Sequence, residues 1–285
     1  MAKNLASVFK NKDFAARYKL AEQLTGLYAL PLISQSGIPS YANRPIVFDN
    51  ACGTGIIGSV LHHTLSDQVR KNWELTCGDF SQAMVEYTQQ RAVDEGWFNT
   101  TTKIVNAQEM DLPEEYFTHV YTAFAFSLIP DTTAALKECL RILKPGGTFA
   151  ASVWKDVPQI SITLSSLSPL QSYLPLPSAS EYIPQLLKGW DSETHVQSQL
   201  ESAGFADVKV TAVTVKTAIP IAEFVELTKS MVPAFWEKYW TKEQREEHER
   251  QIPEVMTQWL EKEYGVGGLV PLEPTALVIT ARRPE

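Results

Sequence analysis

Residues 47–58 read VFDNACGTGIIG, and the rest of the chain can be ordered around them. The apolar run Ile46-Val47-Phe48 reads as a short strand that closes on Asp49. Gly53 and Gly55 then make a tight turn, and a helix is expected from Ile56 to Leu65. Without side chains, the two glycines let the backbone approach a ligand closely. The helix that follows offers unpaired N–H groups at its start.

Downstream, the pattern repeats as strand and helix. Strands are expected over residues 73–79, 103–105, 119–124 and 148–154. Ser81 is a natural N-cap for a helix reaching about Glu95, and Asp131 for one reaching Leu143, where Lys144-Pro145-Gly146-Gly147 stops it. Strands separated by helices predict an α/β fold: a mostly parallel seven-stranded sheet with helices on both faces. Upstream, residues 1–40 read as an N-terminal helical cap, broken at Pro31 and at Gly37-Ile38-Pro39. Residues 45–154 form the cofactor-binding core and 155–190 a Ser-, Pro- and Leu-rich insertion. A helix from Asp191 to Gly204 precedes a strand over 208–217. Residues 220–265 are expected as a helical lid broken near Pro233 and Pro253, and 277–281 as the last strand. The whole chain, 1–285, reads as one domain with helical decorations.

Composition narrows the function. A net charge of −8 argues against a general nucleic-acid binder, which needs excess Lys and Arg to neutralise phosphates. No apolar stretch approaches the ~20 residues that span a bilayer, and the N-terminus lacks a signal-peptide core. Three scattered cysteines, Cys52, Cys77 and Cys139, suit neither a disulfide framework nor a zinc site. A cytoplasmic monomer without a metal is the expectation.

Two cofactors compete for the loop. Gly53-Thr54-Gly55-Ile56-Ile57-Gly58 matches the dinucleotide pattern G-x-G-x-x-G. Asp49, Ala51, Gly53 and Gly55 match the S-adenosylmethionine pattern D-x-G-x-G-x-G, with Ala51 replacing the first glycine. Asp79, ending the second strand, can accept from ribose hydroxyls in either class; it can equally belong to the cap of the next helix. Asn106 and Ala107, just after the third strand, suit an adenine amino group. Ala123, Phe124 and Ala125, ending the fourth, suit a flat ring and a sulfonium. This succession favours methyl transfer. No Tyr-x-x-x-Lys, H-E-x-x-H, C-x-x-C or G-x-S-x-G occurs, which weakens reductase, metallohydrolase, dithiol-redox and serine-hydrolase readings.

With those residues in hand, the chain resembles the class I S-adenosylmethionine-dependent methyltransferases, with their Rossmann-like fold. The strings RYKLAEQLTGLYA, DNACGTG, LTCGDFS, TKIVNA, ALKECLRIL, GWDSE and VPLEPTALVIT resemble, within that class, the fungal bis-thiomethyltransferases of gliotoxin-type dithiols. The resemblance spans nearly the whole chain; residues 158–184 match poorly, and Thr54 stands where the resembled loop has Ile. It implies S-methylation of a reduced epidithiodiketopiperazine in secondary metabolism, with S-adenosylmethionine as cofactor. It also implies that Tyr18 and Thr25 reach the methionine end of the cofactor and that Asn50, Ala51 and Gly53 frame it. By the same resemblance, Asp79 and Phe80 hold the ribose and flank the adenine, and Asn106 and Ala107 contact the base. Alternatives are O- or N-methylation of another fungal metabolite, an NAD(P)-dependent oxidoreductase, and a non-catalytic methyltransferase-like subunit.

A sulfonium is already an activated methyl donor, so alignment and water exclusion carry the chemistry. A thiol with pKa ~8.5 needs no strong base. None of the five histidines is placed by sequence as a general base, each reading instead as an exposed or capping residue, and no catalytic residue is assigned. Trp154, Phe124, Phe235 and Trp236 are expected to line the acceptor pocket.

Overall fold

A computed structural model describes residues 19–41 and 44–285, with backbone only over 230–237. The expectations for Tyr18, and for the side chains of Phe235 and Trp236, lie outside the described residues. Strands run over Ile46–Asn50 (β1), Glu74–Asp79 (β2), Thr100–Ile104 (β3), Phe117–Ala123 (β4), Leu143–Asp156 (β5), Ala206–Thr214 (β6), Thr217–Pro220 (β7), Leu269–Leu272 (β8) and Thr275–Arg282 (β9). The helices used below are Glu22–Thr25 (α1), Ala29–Ser36 (α2), Ile56–Thr64 (α3), Asp67–Asn72 (α4), Gln82–Asp94 (α5), Thr132–Ile142 (α6), Pro158–Ser166 (α7), Ala179–Leu187 (α8), Glu193–Ala203 (α9), Ile221–Tyr239 (α10), Lys242–His248 (α11) and Ile252–Tyr264 (α12).

The apolar run before Asp49 becomes an interior strand, buried along its length, because a parallel strand is covered on both faces. Side chains alternate across it: Val47 joins one hydrophobic cluster with Ile33, Leu61, Trp73 and Tyr121, while Phe48 joins another with Phe117, Leu136, Phe149 and Leu200. The seven-stranded sheet has the order β3-β2-β1-β4-β5-β9-β6. β1 through β5 pair in parallel, and β9 runs antiparallel to both neighbours. A dinucleotide-binding sheet has the order 3-2-1-4-5-6; an antiparallel strand inserted beside β5 departs from it. The carboxyl ends of β1, β2, β3 and β4 share one edge, and the strand order reverses at β1, which opens a crevice there.

Ser81 and Asp131 cap α5 and α6 as expected, accepting from the Met84 and Ala134 amides. Several boundaries move. β3 occupies Thr100–Ile104 rather than 103–105, since its β-branched threonines favour a strand. α6 stops at Ile142, and the Lys-Pro-Gly-Gly segment is already part of β5, pairing Leu143 with Phe117. Gly146, at φ 69, supplies the bend. The expected break at Pro233 falls instead after Tyr239, where Thr241 caps α11 in a capping box with Gln244. Pro253 sits in the first turn of α12, a position that needs no N–H donor. The β7–β8 pair beneath the lid was not expected from sequence.

The decorations share a third hydrophobic cluster. Leu24 of α1, Leu164 of α7, Tyr182 of α8, Phe224 of α10, Met256 of α12 and Val270 of β8 all belong to it. Trp154, near the end of β5, packs against this cluster and so joins lid to sheet. No helix among the described residues is long and apolar enough to cross a membrane.

Candidate cofactor and acceptor site

The turn between β1 and α3 is built from left-handed backbone. Ala51, Gly53 and Gly55 hold φ of 52, 55 and 81, and Gly55 N–H closes the turn on the Cys52 carbonyl at 2.8 Å. Two glycines are also fixed by packing. A Cβ at Gly55 would stand 2.9 Å from Thr88 Cγ2, and one at Gly58 2.7 Å from the Trp97 ring. Gly58 therefore serves the seating of α3 on its neighbours.

Two carboxylates converge under this turn. Asp49 is 1% exposed, and among the described residues its Oδ2 has no hydrogen-bond partner; the Gly58 amide favours its charged form. Desolvation and the nearby Asp79 charge push its pKa up to about 8. Asp79 is 5% exposed. Its Oδ2 accepts from Gly53 N–H at 3.0 Å and its Oδ1 from Ser81 N–H at 2.9 Å. Burial raises its pKa to about 6, opposed by those amides. Asp79 thus ties the glycine turn to the start of α5, as the capping reading anticipated, while standing at the crevice. A buried acceptor without a donor, in a carboxylate lifted this far, suits a cation. S-adenosylmethionine carries an ammonium, a sulfonium and ribose hydroxyls, and the residues present fit it.

Around the pair, Phe80 follows Asp79 with 41% exposure. Val105 N–H bonds the Asp79 carbonyl at 2.9 Å, which brings the end of β3 beside it. Asn106 is exposed just beyond, and its Oδ1 accepts from Gln108 N–H at 3.1 Å. Ala107 is partly buried against the core. Asn50 is different. Its carboxamide is buried and donates to Thr122 Oγ1 at 3.2 Å, so only its backbone belongs to the turn. Thr25 directs its hydroxyl to the Ala21 carbonyl of its own segment at 3.1 Å.

At the ends of β4 and β5 two of the four expected pocket residues, Phe124 and Trp154, meet. Ala123 is half-buried; Phe124 adopts φ 55, a conformation disfavoured for a bulky residue. Its ring lies 4.3 Å from Trp154, centroid to centroid. Tyr28 completes an aromatic wall, edge-on to Phe124 at 5.7 Å and to Trp154 at 5.5 Å, with its hydroxyl donated to the Pro274 carbonyl at 2.6 Å. Sequence reading missed Tyr28; its place in the apolar stretch 27–30 was the available signal. It also missed Glu22 and Arg91, whose partners are distant in sequence and leave no local signature.

His119 corrects another expectation: it is buried, not exposed. It faces Thr118 Oγ1 at 2.9 Å and the Tyr41 ring at 5.0 Å, and desolvation lowers its pKa to about 3. Its strand partner is Val47, well away from the carboxyl edge.

A family model described as a methyltransferase domain matches residues 47–147. Over 281 residues, the chain is 44% identical to methyltransferase tpcH of Aspergillus fumigatus, covering 98% of this chain and 100% of that protein. It is 42% identical over 286 residues to the acetylaranotin bis-thiomethyltransferase of Aspergillus terreus, covering 100% of both. The chain belongs to the class I S-adenosylmethionine-dependent methyltransferases. Its fold is also that of a Haemonchus contortus phosphoethanolamine N-methyltransferase, solved with S-adenosylhomocysteine, at TM-score 0.55 and 14% identity over 90% of this chain and 52% of that one. The Bacillus YcgJ protein aligns at TM-score 0.54 and 17% identity, over 90% of this chain and 99% of that one. This methyltransferase is an enzyme with S-adenosylmethionine as cofactor and a small molecule as acceptor.

Proposed function

We propose that this methyltransferase transfers methyl groups to the sulfur atoms of a small dithiol, a reduced epidithiodiketopiperazine. The observation that carries the reading is the end-to-end relation to the acetylaranotin bis-thiomethyltransferase, which includes the lid and insertion as well as the core. The aromatic cluster supports it: half-buried Trp154, backed by Phe124 and the fully buried Tyr28, gives the ends of β4 and β5 an apolar lining suited to a compact ring system.

In this reading Asp49 and Asp79 hold the cationic donor by charge and hydrogen bonds. Phe80, Asn106 and Ala107 bracket and contact its base. Thr25 and the backbone of Asn50, Ala51, Gly53 and Gly55 shape the methionine end, with Ala123 beside the sulfonium. S-adenosylmethionine supplies, when bound, a methyl group already activated by positive charge. Phe124 and Trp154 would seat the acceptor beside the donor, and orienting its sulfur there is the work left to the protein. The thiol proton would pass to solvent, since no side chain of the chain is assigned as its acceptor. Alignment of this kind supplies most of the rate, and a thiol near pKa ~8.5 is partly ionised without a dedicated base.

The test is direct. Purified protein is incubated with S-adenosylmethionine and three congeners of one diketopiperazine, bearing thiols, hydroxyls or amines. Mass spectrometry should show one or two added methyl groups on the dithiol alone; methylation of the hydroxyl or amine congener instead would refute the sulfur assignment.

A further inference from the structure

The glycine turn is fastened by a side chain outside the motif. Glu22 lies on α1 with its side chain only 7% exposed. Its Oε1 accepts from the Thr54 hydroxyl and, at 2.8 Å, from Arg91 Nη1. The same Arg91 nitrogen donates to the Thr54 carbonyl at 2.9 Å. Thr54 is therefore held by both its side chain and its backbone, between two left-handed glycines. Arg91 is anchored in turn: its Nε donates to Glu95 Oε1 at 2.7 Å, and Glu95 Oε2 accepts from Ser59 Oγ at 2.7 Å and Trp97 Nε1 at 2.9 Å. On its other side α1 belongs to the lid. Ala21 and Leu24 are part of the lid cluster, and Gln23 Nε2 donates to Glu223 of α10 at 2.5 Å.

Burying an ion pair carries a desolvation penalty that its attraction barely repays, so stability alone is a weak reason for this arrangement. Its geometric result is specific. The residue between Gly53 and Gly55, the softest backbone of the turn, is fixed relative to both α5 and the lid. A turn held in place before binding pays no ordering entropy when the ligand arrives.

We propose that Glu22, Thr54 and Arg91 form a latch that positions the glycine turn for S-adenosylmethionine, with Glu22 and Thr54 as positioning residues for donor binding. The inference rests on the cofactor reading above and extends it to side chains outside the motif. Because the latch acts on the donor cradle and not on the reacting atoms, its loss weakens donor binding and leaves the methyl-transfer step intact.

Thr54→Val keeps the shape and removes the hydroxyl; Glu22→Gln keeps the shape and removes the charge; Thr54→Ser restores the hydroxyl. Each is purified as the full chain and compared with wild type by S-adenosylmethionine titration and by steady-state kinetics on the reduced dithiol. The first two should raise donor Kd and KM about tenfold, the scale of a lost hydrogen bond to a charged group, with kcat within about twofold. Thr54→Ser should stay near wild type, and the Thr54→Val/Glu22→Gln double variant should be no weaker than the worse single one. Hydrogen exchange should quicken in residues 50–58 and stay unchanged in β9. Unaltered donor Kd in both single variants, or a fall in kcat without a change in Kd, would overturn the latch. A lowered melting temperature with unaltered Kd would assign the network to stability and overturn it too. Wild-type protein that bound no S-adenosylmethionine would defeat the cofactor reading itself, a result distinct from all of these.

Discussion

Ala51 stands where the loop pattern has glycine, and its backbone is held at φ 52. A left-handed conformation costs an L-residue about 1–2 kcal/mol, while glycine adds about 0.4–1 kcal/mol of unfolded-state entropy. Ala51→Gly should therefore stabilise the protein by up to about 1 kcal/mol in a urea titration; a clear loss of stability would contradict the strain. Asp49 gives a second test at this scale. Its carboxyl keeps a proton to about pH 8 and that of Asp79 to about pH 6, against 3.8 in the unfolded chain. The folded state thus binds more protons across this window, and their contribution to folding stability falls as pH rises through it. A cationic donor favours the ionised pair, so donor affinity should rise between about pH 6 and pH 8. Asp49→Asn should flatten the upper part of both dependences, and an unchanged pH profile would remove Asp49 from the site. The Asp49-to-Gly55 motif was legible in sequence because its chemistry is local: strand, turn and helix start follow one another. The orphaned Asp49 oxygen was not legible, because burial depends on strands far along the chain.

The strand-turn-helix at β1 and α3, and the capped helices α5 and α6, follow from short-range signals, namely apolar runs, Ser81, Asp131 and glycine. Misplaced boundaries lie where pairing overrides such signals. Residues 144–147 read as a helix stop, yet they lie within β5, as an irregularity between the pairing of Leu143 with Phe117 and that of Thr148 with His119. β7 and β8 are invisible for the same reason, each being a short segment that exists only through its partner. Phe124 and Trp154 could be nominated from their places at strand ends, whereas Tyr28 joins them from a different element. Trp154→Ala should raise the acceptor KM about tenfold, since ring contacts at such a wall are worth ~0.5–1.5 kcal/mol each, while donor Kd changes less than about twofold. Trp154→Phe should retain most of the affinity. Equal losses for donor and acceptor in steady-state kinetics would show that the wall does not separate the two ligands.

Across the whole molecule, the described residues combine a sheet packed on both faces with a lid that has a hydrophobic cluster of its own. Sequence reading found the N-terminal cap, insertion and late helices as separate decorations, because periodicity reports a face and not its partner. Leu24, Leu164, Phe224 and Met256 are brought together only by the fold. The order of the strands decides the chemistry in the same non-local way. An antiparallel β9 between β5 and β6 sets this sheet apart from a dinucleotide-binding one, although the glycine turn alone fits either. The central claim is that the crevice between Asp49 and Asp79 is built for S-adenosylmethionine. Calorimetric titration at pH 8 of wild type and Asp79→Asn, with S-adenosylmethionine and separately with NADH, tests it most directly. The account predicts that wild type binds the sulfonium donor and not NADH, and that Asp79→Asn binds the donor at least about tenfold more weakly, as loss of charge-assisted hydrogen bonds requires. Binding of NADH in place of the donor, or donor binding untouched by Asp79→Asn, would contradict it.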